Sequence, residues 1–177
     1  MELVYTHVRM LRTGCKNAHV TSPTVILCDL DGTITDSIPG ILRCLREALP
    51  TIGMEHLTDD ELRTWLGPPL RTTMLEVNGR SEEELDTFVT AYRAHYFGGG
   101  EYEFEVFPGM ADLIADLGSS AYSLVLATAK PIESAERVLT RAGLIEHFDF
   151  VSGTELDLLR QGKPAVIAYG LTSIGVD

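Results

Sequence analysis

The sequence predicts an α/β protein built on a parallel sheet, with a helical module inserted after the first strand. Three observations carry that prediction. From residue 108 onward, short apolar runs alternate with stretches of helical periodicity, the rhythm of strand–helix–strand units with right-handed crossovers. A further run, Thr24-Val25-Ile26-Leu27-Cys28, stands far upstream and is continuous rather than alternating, as suits a strand buried on both faces. The stretch between, 38–106, reads as helix and is too long for a crossover. The expected organisation is a leader over 1–22 without regular structure, a core from 23–37 and 107–177, and a small α-helical cap over 38–106.

In chain order, the first strand ends at Cys28 and runs into Asp29-Leu30-Asp31-Gly32-Thr33. Within the cap, Thr58 with Glu61 and Ser81 with Glu84 are S/T-x-x-E capping boxes. The second opens a helix whose Leu85, Phe88, Val89, Tyr92 and Tyr96 repeat on one face. Gly98-Gly99-Gly100 follows no strand, so it reads as a helix stop and flexible linker rather than a phosphate loop. Met110, Leu113, Ile114 and Leu117 mark the next helix, and Tyr122–Ala127 the second buried strand. A helix then begins at Pro131, tolerated in a first turn, and stops at Gly143. Phe148–Ser152 reads as the third strand. Pro164 opens a last helix through Ile167, Leu171 and Ile174.

Composition narrows the function classes. The 177 residues are 45% hydrophobic and 23% charged, as in ordinary globular chains, and no apolar run reaches bilayer length. The net charge of −12 argues against a nucleic-acid partner, which requires a basic face. Only three lysines occur, Lys16, Lys130 and Lys163, so a lysine-built anion site must use the last two. Cys15, Cys28 and Cys44 are odd in number and lack CxxC spacing, which fits a reducing cytoplasm. The five histidines are scattered without HExxH and read as surface or cap residues. The leader is mildly basic but has no signal-peptide apolar region; a disordered leader, an over-extended start or a transit peptide would each fit.

The chemistry-bearing residues cluster at predicted strand ends. An Asp-Gly pair after an apolar strand fits a tight hairpin turn. Equally, Asp29 and Asp31 at the carboxyl end of a parallel strand stand where open α/β sheets bind ligands, and two such carboxylates can divide nucleophile and acid/base roles. After the second strand come Thr128, Ala129 and Lys130, at the mouth of a helix, a natural place for phosphate oxygens; an N-cap threonine and a solvated lysine would also explain them. Lys163 follows the third strand, just before Pro164.

Taken in order, DxDGT at Asp29–Thr33, a hydroxyl at Thr128 and a lysine at Lys163 resemble the haloacid dehalogenase superfamily, from Thr24 to the last residue. The resemblance implies a Rossmann-like core and a phosphatase. In it Asp29 is the nucleophile, Asp31 the general acid/base and Lys163 a neutralising cation, while Thr128, Ala129 and Lys130 hold phosphoryl oxygens. It also implies Mg2+ bound through the Asp29 side chain and the Asp31 backbone carbonyl. Asp31 sets the chain apart from the family's dehalogenases, and a cap without lysine sets it apart from its phosphonate hydrolases, which form a Schiff base there. Arg71, after Leu66-Gly67-Pro68-Pro69-Leu70, resembles the cap loop of phosphoglycolate phosphatase-like and 5′-nucleotidase-like members that closes over substrate; a plain inter-helix turn with a solvated arginine fits as well. Hinges near Asp36–Pro39 and Gly100–Phe107 would let the cap open and close.

The family's fourth motif, an acidic pair on a further strand, has no counterpart before Asp177. The expectation is therefore a C-terminally truncated core, with 24–29 as an exposed apolar edge and little or no phosphatase activity from these residues alone. The expected substrate is a small phosphomonoester, such as phosphoglycolate or a nucleoside monophosphate. The alternatives are a phosphomutase, a non-catalytic relative that binds a partner, and, more weakly, a receiver-type phosphoacceptor. Oligomeric state is not legible in the sequence.

Overall fold

A computed structural model of the chain describes residues 9–10, 25–67, 70–155 and 162–176. It divides into two compact units, Met1–Asp36 with Glu105–Asp177, and Ser37–Phe104. Most of the predicted leader, Pro68 and Pro69 of the Gly-Pro-Pro loop, and Asp177 lie outside the described residues.

The first unit is built on a four-stranded sheet. Its strands are β1 (Arg9–Met10), β2 (Val25–Cys28), β5 (Ser123–Pro131) and β6 (Phe150–Thr154), neighbours in that order. A separate antiparallel pair joins β3 (Thr35–Asp36) to β4 (Glu105–Val106). β2 and β5 run parallel with Cys28 opposite Leu126, and β5 and β6 run parallel with Ala127 opposite Ser152. Leu124, Val125, Leu126 and Ala127 are all buried, so β5 is covered on both faces, as its unbroken apolar run requires. The helices of this unit are α5 (Met110–Gly118), α6 (Ile132–Ala142) and α7 (Gly162–Ser173). α6 and α7 both pack on β5 and β6. α7 lies close to the sheet because Gly170 faces Val125 and Ser152, and the Ser152 hydroxyl donates to the Val166 carbonyl at 2.7 Å.

Several boundaries differ from the sequence reading. The second strand runs to Pro131 rather than ending at Ala127, and the helix after it starts at Ile132 with Pro131 as its extended cap. The reason is cross-strand pairing: Pro131 pairs with Thr154 although Ala127 pairs with Ser152. Four residues of β5 therefore span two of β6, an irregularity that bulges β5 over Thr128–Lys130. Gly153 makes this possible, because a Cβ there would stand 2.7 Å from the Lys130 carbonyl and 2.8 Å from Ile132. The third strand is shifted to Phe150–Thr154. The expected bare edge at 24–29 is paired over part of its length, since Arg9 and Met10 of the supposed leader lie opposite Leu27 and Ile26.

The second unit is helical: α1 (Ile38–Ala48), α2 (Asp59–Arg63), α3 (Leu70–Thr72), continued by a π turn over Thr73–Val77, and α4 (Glu82–Phe97). It has its own core, in which Leu42, Leu45, Leu62, Met74 and Phe88 are buried and Trp65 meets Phe88 edge to face. Both capping boxes form, at Thr58/Glu61 and Ser81/Glu84. Gly100 is not a loose linker residue. It sits in a 3-10 turn, Gly100–Tyr102, where an added Cβ would collide with the Cys44 Sγ, and a Cβ on Gly40 would stand 2.5 Å from the Gly100 carbonyl. These two glycines let the turn close on α1. No described helix is long and apolar enough to cross a membrane.

Two tests follow from the packing and the caps. Gly153→Ala forces backbone against backbone and is expected to cost about 1–3 kcal/mol, read as a lower denaturant midpoint. The Ser81 N–H and the Arg80 guanidinium hold Glu84 below the usual carboxyl range. A depressed carboxyl stabilises above its unfolded pKa of about 4.3 and stops doing so as pH falls through the folded value. Glu84→Gln is accordingly expected to be less stable than the parent at pH 7, with the gap closing in acid; an equal gap at both pH values contradicts the cap.

Candidate active site

β2 ends at Cys28, and the next residues wind tightly on one carbonyl. The backbone N–H groups of Thr33, Ile34 and Thr35 all donate to the Leu30 carbonyl at 3.2, 2.9 and 3.0 Å, and Gly32 N–H donates to the Thr35 carbonyl at 2.8 Å. Gly32 has φ +76°, a left-handed conformation that explains glycine after Asp31. Leu30 and Ile34 are fully buried and anchor the turn from below. This is no hairpin: β2 pairs with β1 and β5, and the chain leaving the turn enters β3, which pairs with β4. The turn leaves Asp29 and Asp31 at the carboxyl end of β2, one of the two interior strands of the sheet.

Among the described residues, each carboxylate meets a lysine. The Lys163 ammonium pairs with Asp29 Oδ2 and also donates to the Ala127 carbonyl at 3.2 Å. The other Asp29 oxygen, Oδ1, accepts from the Leu30 N–H at 2.9 Å. Lys130 Nζ stands 2.7 Å from Asp31 Oδ1. The four charges sum to zero, so the two anions are held together without net repulsion in an acidic chain. Cys28, next to Asp29, is a poor competitor as nucleophile: burial first, and then the Asp29 charge, pushes its thiol pKa up to about 11.

The bulge in β5 arranges the second group. Thr128 and Lys130 are buried while Ala129 between them is exposed, the alternation of a strand. The Thr128 hydroxyl accepts from the Lys130 N–H at 3.1 Å and keeps its own proton to donate. The Ala129 carbonyl accepts from Thr154 Oγ1 at 3.0 Å, which ties the bulge to β6. Lys163 lies in the first turn of α7 and reaches the same edge because α7 packs on β5 and β6. Asp29, Asp31, Lys130 and Lys163 are thus brought together by ion pairs, with Thr128 hydrogen-bonded beside Lys130. Arg71 belongs to the helical unit, where its guanidinium pairs with Glu82 and is 64% exposed. The contact between Lys130 and Asp31 was not anticipated. Its signal in the sequence is the period-two spacing of Thr128 and Lys130, which a strand ending at Ala127 does not use.

The Asp29 carboxylate and the Asp31 backbone carbonyl are hard oxygens of the kind that Mg2+ takes. Among the described residues there is no group of three or more His, Cys, Asp or Glu side chains positioned to hold a metal.

Comparison with known proteins agrees with this geometry. Tyrosine-protein kinase PtkA of Mycobacterium tuberculosis is 36% identical over 154 residues, covering 86% of this chain and 52% of the relative. The chain thus spans about half the length of that protein. A 5′-nucleotidase of Pseudomonas aeruginosa is 34% identical over 151 residues, covering 85% of this chain and 68% of the relative. The crystal structure of a predicted phosphatase from Clostridium acetobutylicum superposes with a TM-score of 0.78 at 31% identity, covering 85% of this chain and 70% of that one. The model of the haloacid dehalogenase-like hydrolases matches residues 26–177, a span that takes in the strand-end aspartates, Thr128 and both paired lysines. With that coverage and this sheet, the chain belongs to the haloacid dehalogenase-like hydrolase family.

Proposed function

We propose that the chain carries the site of a phosphomonoester hydrolase that works through a phosphorylated Asp29. The observation that carries the reading is the pair of strand-end carboxylates, each against its own lysine. In this reading Asp31 enters the step carrying a proton, regained from water at the end of each cycle; an Asp29 oxygen attacks phosphorus, the bond from phosphorus to the ester oxygen breaks, and the departing alkoxide takes that proton from Asp31. Water then attacks the aspartyl-phosphate and gives its proton to the Asp31 carboxylate, releasing phosphate and restoring Asp29. Lys163, already on Asp29, offsets the charge that gathers there, and the Thr128 hydroxyl donates to a phosphoryl oxygen.

Asp29 and Asp31 would hold magnesium, whose charge offsets repulsion between the nucleophile and a dianionic ester. Two protein oxygens, completed by water and substrate, suit that ion. The substrate is a small phosphomonoester, with a nucleoside monophosphate suggested by the 5′-nucleotidase relative and phosphoglycolate as the smaller candidate. Arg71 is the cap residue proposed to meet it.

A second reading has one specific support, the PtkA relative. An aspartyl-phosphate can pass its phosphoryl group to an alcohol instead of water, giving a mutase or, with ATP as donor, a kinase.

Single-turnover assays, with protein in excess over ester, register even a slow reaction. Magnesium-dependent release of phosphate is expected, abolished by EDTA, restored by added magnesium, and reduced roughly 10³-fold or more in Asp29→Asn. Full activity in Asp29→Asn would remove the nucleophile assignment, and no release from any small ester would remove the reading. Transfer from ATP to a tyrosine peptide, without phosphate release, would favour the kinase instead.

A further inference from the structure

The two lysines at the sheet edge are placed differently. Lys163 is 42% exposed and enters from a helix end, whereas the Lys130 side chain is 4% exposed and projects from within a strand. A buried ammonium keeps its charge only where an anion and hydrogen bonds replace lost water. Lys130 meets that condition at Asp31 Oδ1, 2.7 Å away. Its backbone is fixed as well. The Lys130 N–H is bonded to Thr128 Oγ1, its carbonyl lies where only a glycine at 153 fits, and the neighbouring Ala129 carbonyl is held by Thr154. A side chain so confined has little freedom to follow a phosphoryl group, but it can hold a neighbouring carboxylate in one orientation.

We infer that Lys130 is the positioning residue for Asp31, fixing the carboxylate that passes protons, rather than a ligand of the transferring phosphoryl group. The inference rests on the phosphatase reading above. It separates the work of the two lysines: Lys163 acts on the nucleophile Asp29, and Lys130 acts through the proton carrier Asp31. Positioning of a proton donor matters in proportion to how much the leaving group needs a proton. An alkoxide needs one, and p-nitrophenolate leaves largely unaided.

The test compares release of alcohol from an alkyl phosphate with release of p-nitrophenol from p-nitrophenyl phosphate, in single turnover at saturating magnesium. Lys130→Met is expected to slow the alkyl ester roughly 10²-fold and the aryl ester by no more than about 3-fold. In an Asp31→Asn background the same substitution is expected to change neither rate further. Equal losses on both esters, or a loss that persists with Asp31→Asn, would mean that Lys130 acts on the phosphoryl group and would overturn the inference alone. A wild-type chain that hydrolyses neither ester overturns the phosphatase reading, and the inference with it. Thermal melts establish that the variants are folded. If Lys130→Met is not, Lys130→Gln retains an N–H donor and is read in the same pair of assays, with the same selectivity expected.

Discussion

Two carboxylates separated by a single residue repel each other, and the site exists because two ammonium groups stand against them. Asp29 and Asp31 would otherwise be driven apart or into solvent, in a chain whose net charge is −12. Lys163 and Lys130 remove that repulsion from different elements, one from the first turn of α7 and one from β5. The surrounding architecture serves to bring those cations to the end of β2. Removing one partner of a buried ion pair costs about 3–5 kcal/mol, because the other charge is left stranded. Asp31 is 31% exposed, so solvent reduces that penalty for the Lys130 pair, and the pair is better understood as orienting a carboxylate than as holding the fold together.

The delivery of Lys130 depends on a distortion of the sheet. A regular β5 would have continued its even pairing with β6 past Ala127. Instead four residues oppose two, and the strand swells where Thr128 and Lys130 turn inward and Ala129 turns out. Bulges of this kind re-aim side chains beside active sites. Here the distortion has an identifiable permit, the missing Cβ of Gly153, and an identifiable tie, the hydroxyl of Thr154 on Ala129. The delivery of Lys163 depends on a second close approach, that of α7 to the sheet at Gly170, with Ser152 bonded to the Val166 carbonyl.

The helical unit follows a different logic. Its core of Leu42, Leu45, Leu62, Met74 and Phe88 is its own, two of its helices, α2 and α4, start at capping boxes, and its closing turn packs on α1 through a pair of glycines. The two capping boxes and the Phe88 face of α4 are local and readable from short-range pattern; the rest of the core and the roles of Gly40 and Gly100 are not. A run of three glycines looks like slack chain; the tight contact with Cys44 that makes the third one necessary joins residues far apart in sequence.

The contrast runs through the whole molecule. The three buried parallel strands and the helices after the second and third, the helical stretch between the first two, the paired aspartates, the two lysines and the family resemblance could be read from the sequence, because hydrophobic period, capping boxes and the Asp-x-Asp-Gly turn are local signals; the short strands β1, β3 and β4 could not. What the sequence could not specify is which lysine meets which carboxylate, how far β5 runs, and what pairs with the edge of β2. Lys130 and Asp31 lie 99 residues apart, and their contact depends on a parallel register, a bulge and one glycine on a neighbouring strand. Those are properties of cross-strand pairing and close packing, which arise only when distant segments share space, and so the tertiary structure alone decided them.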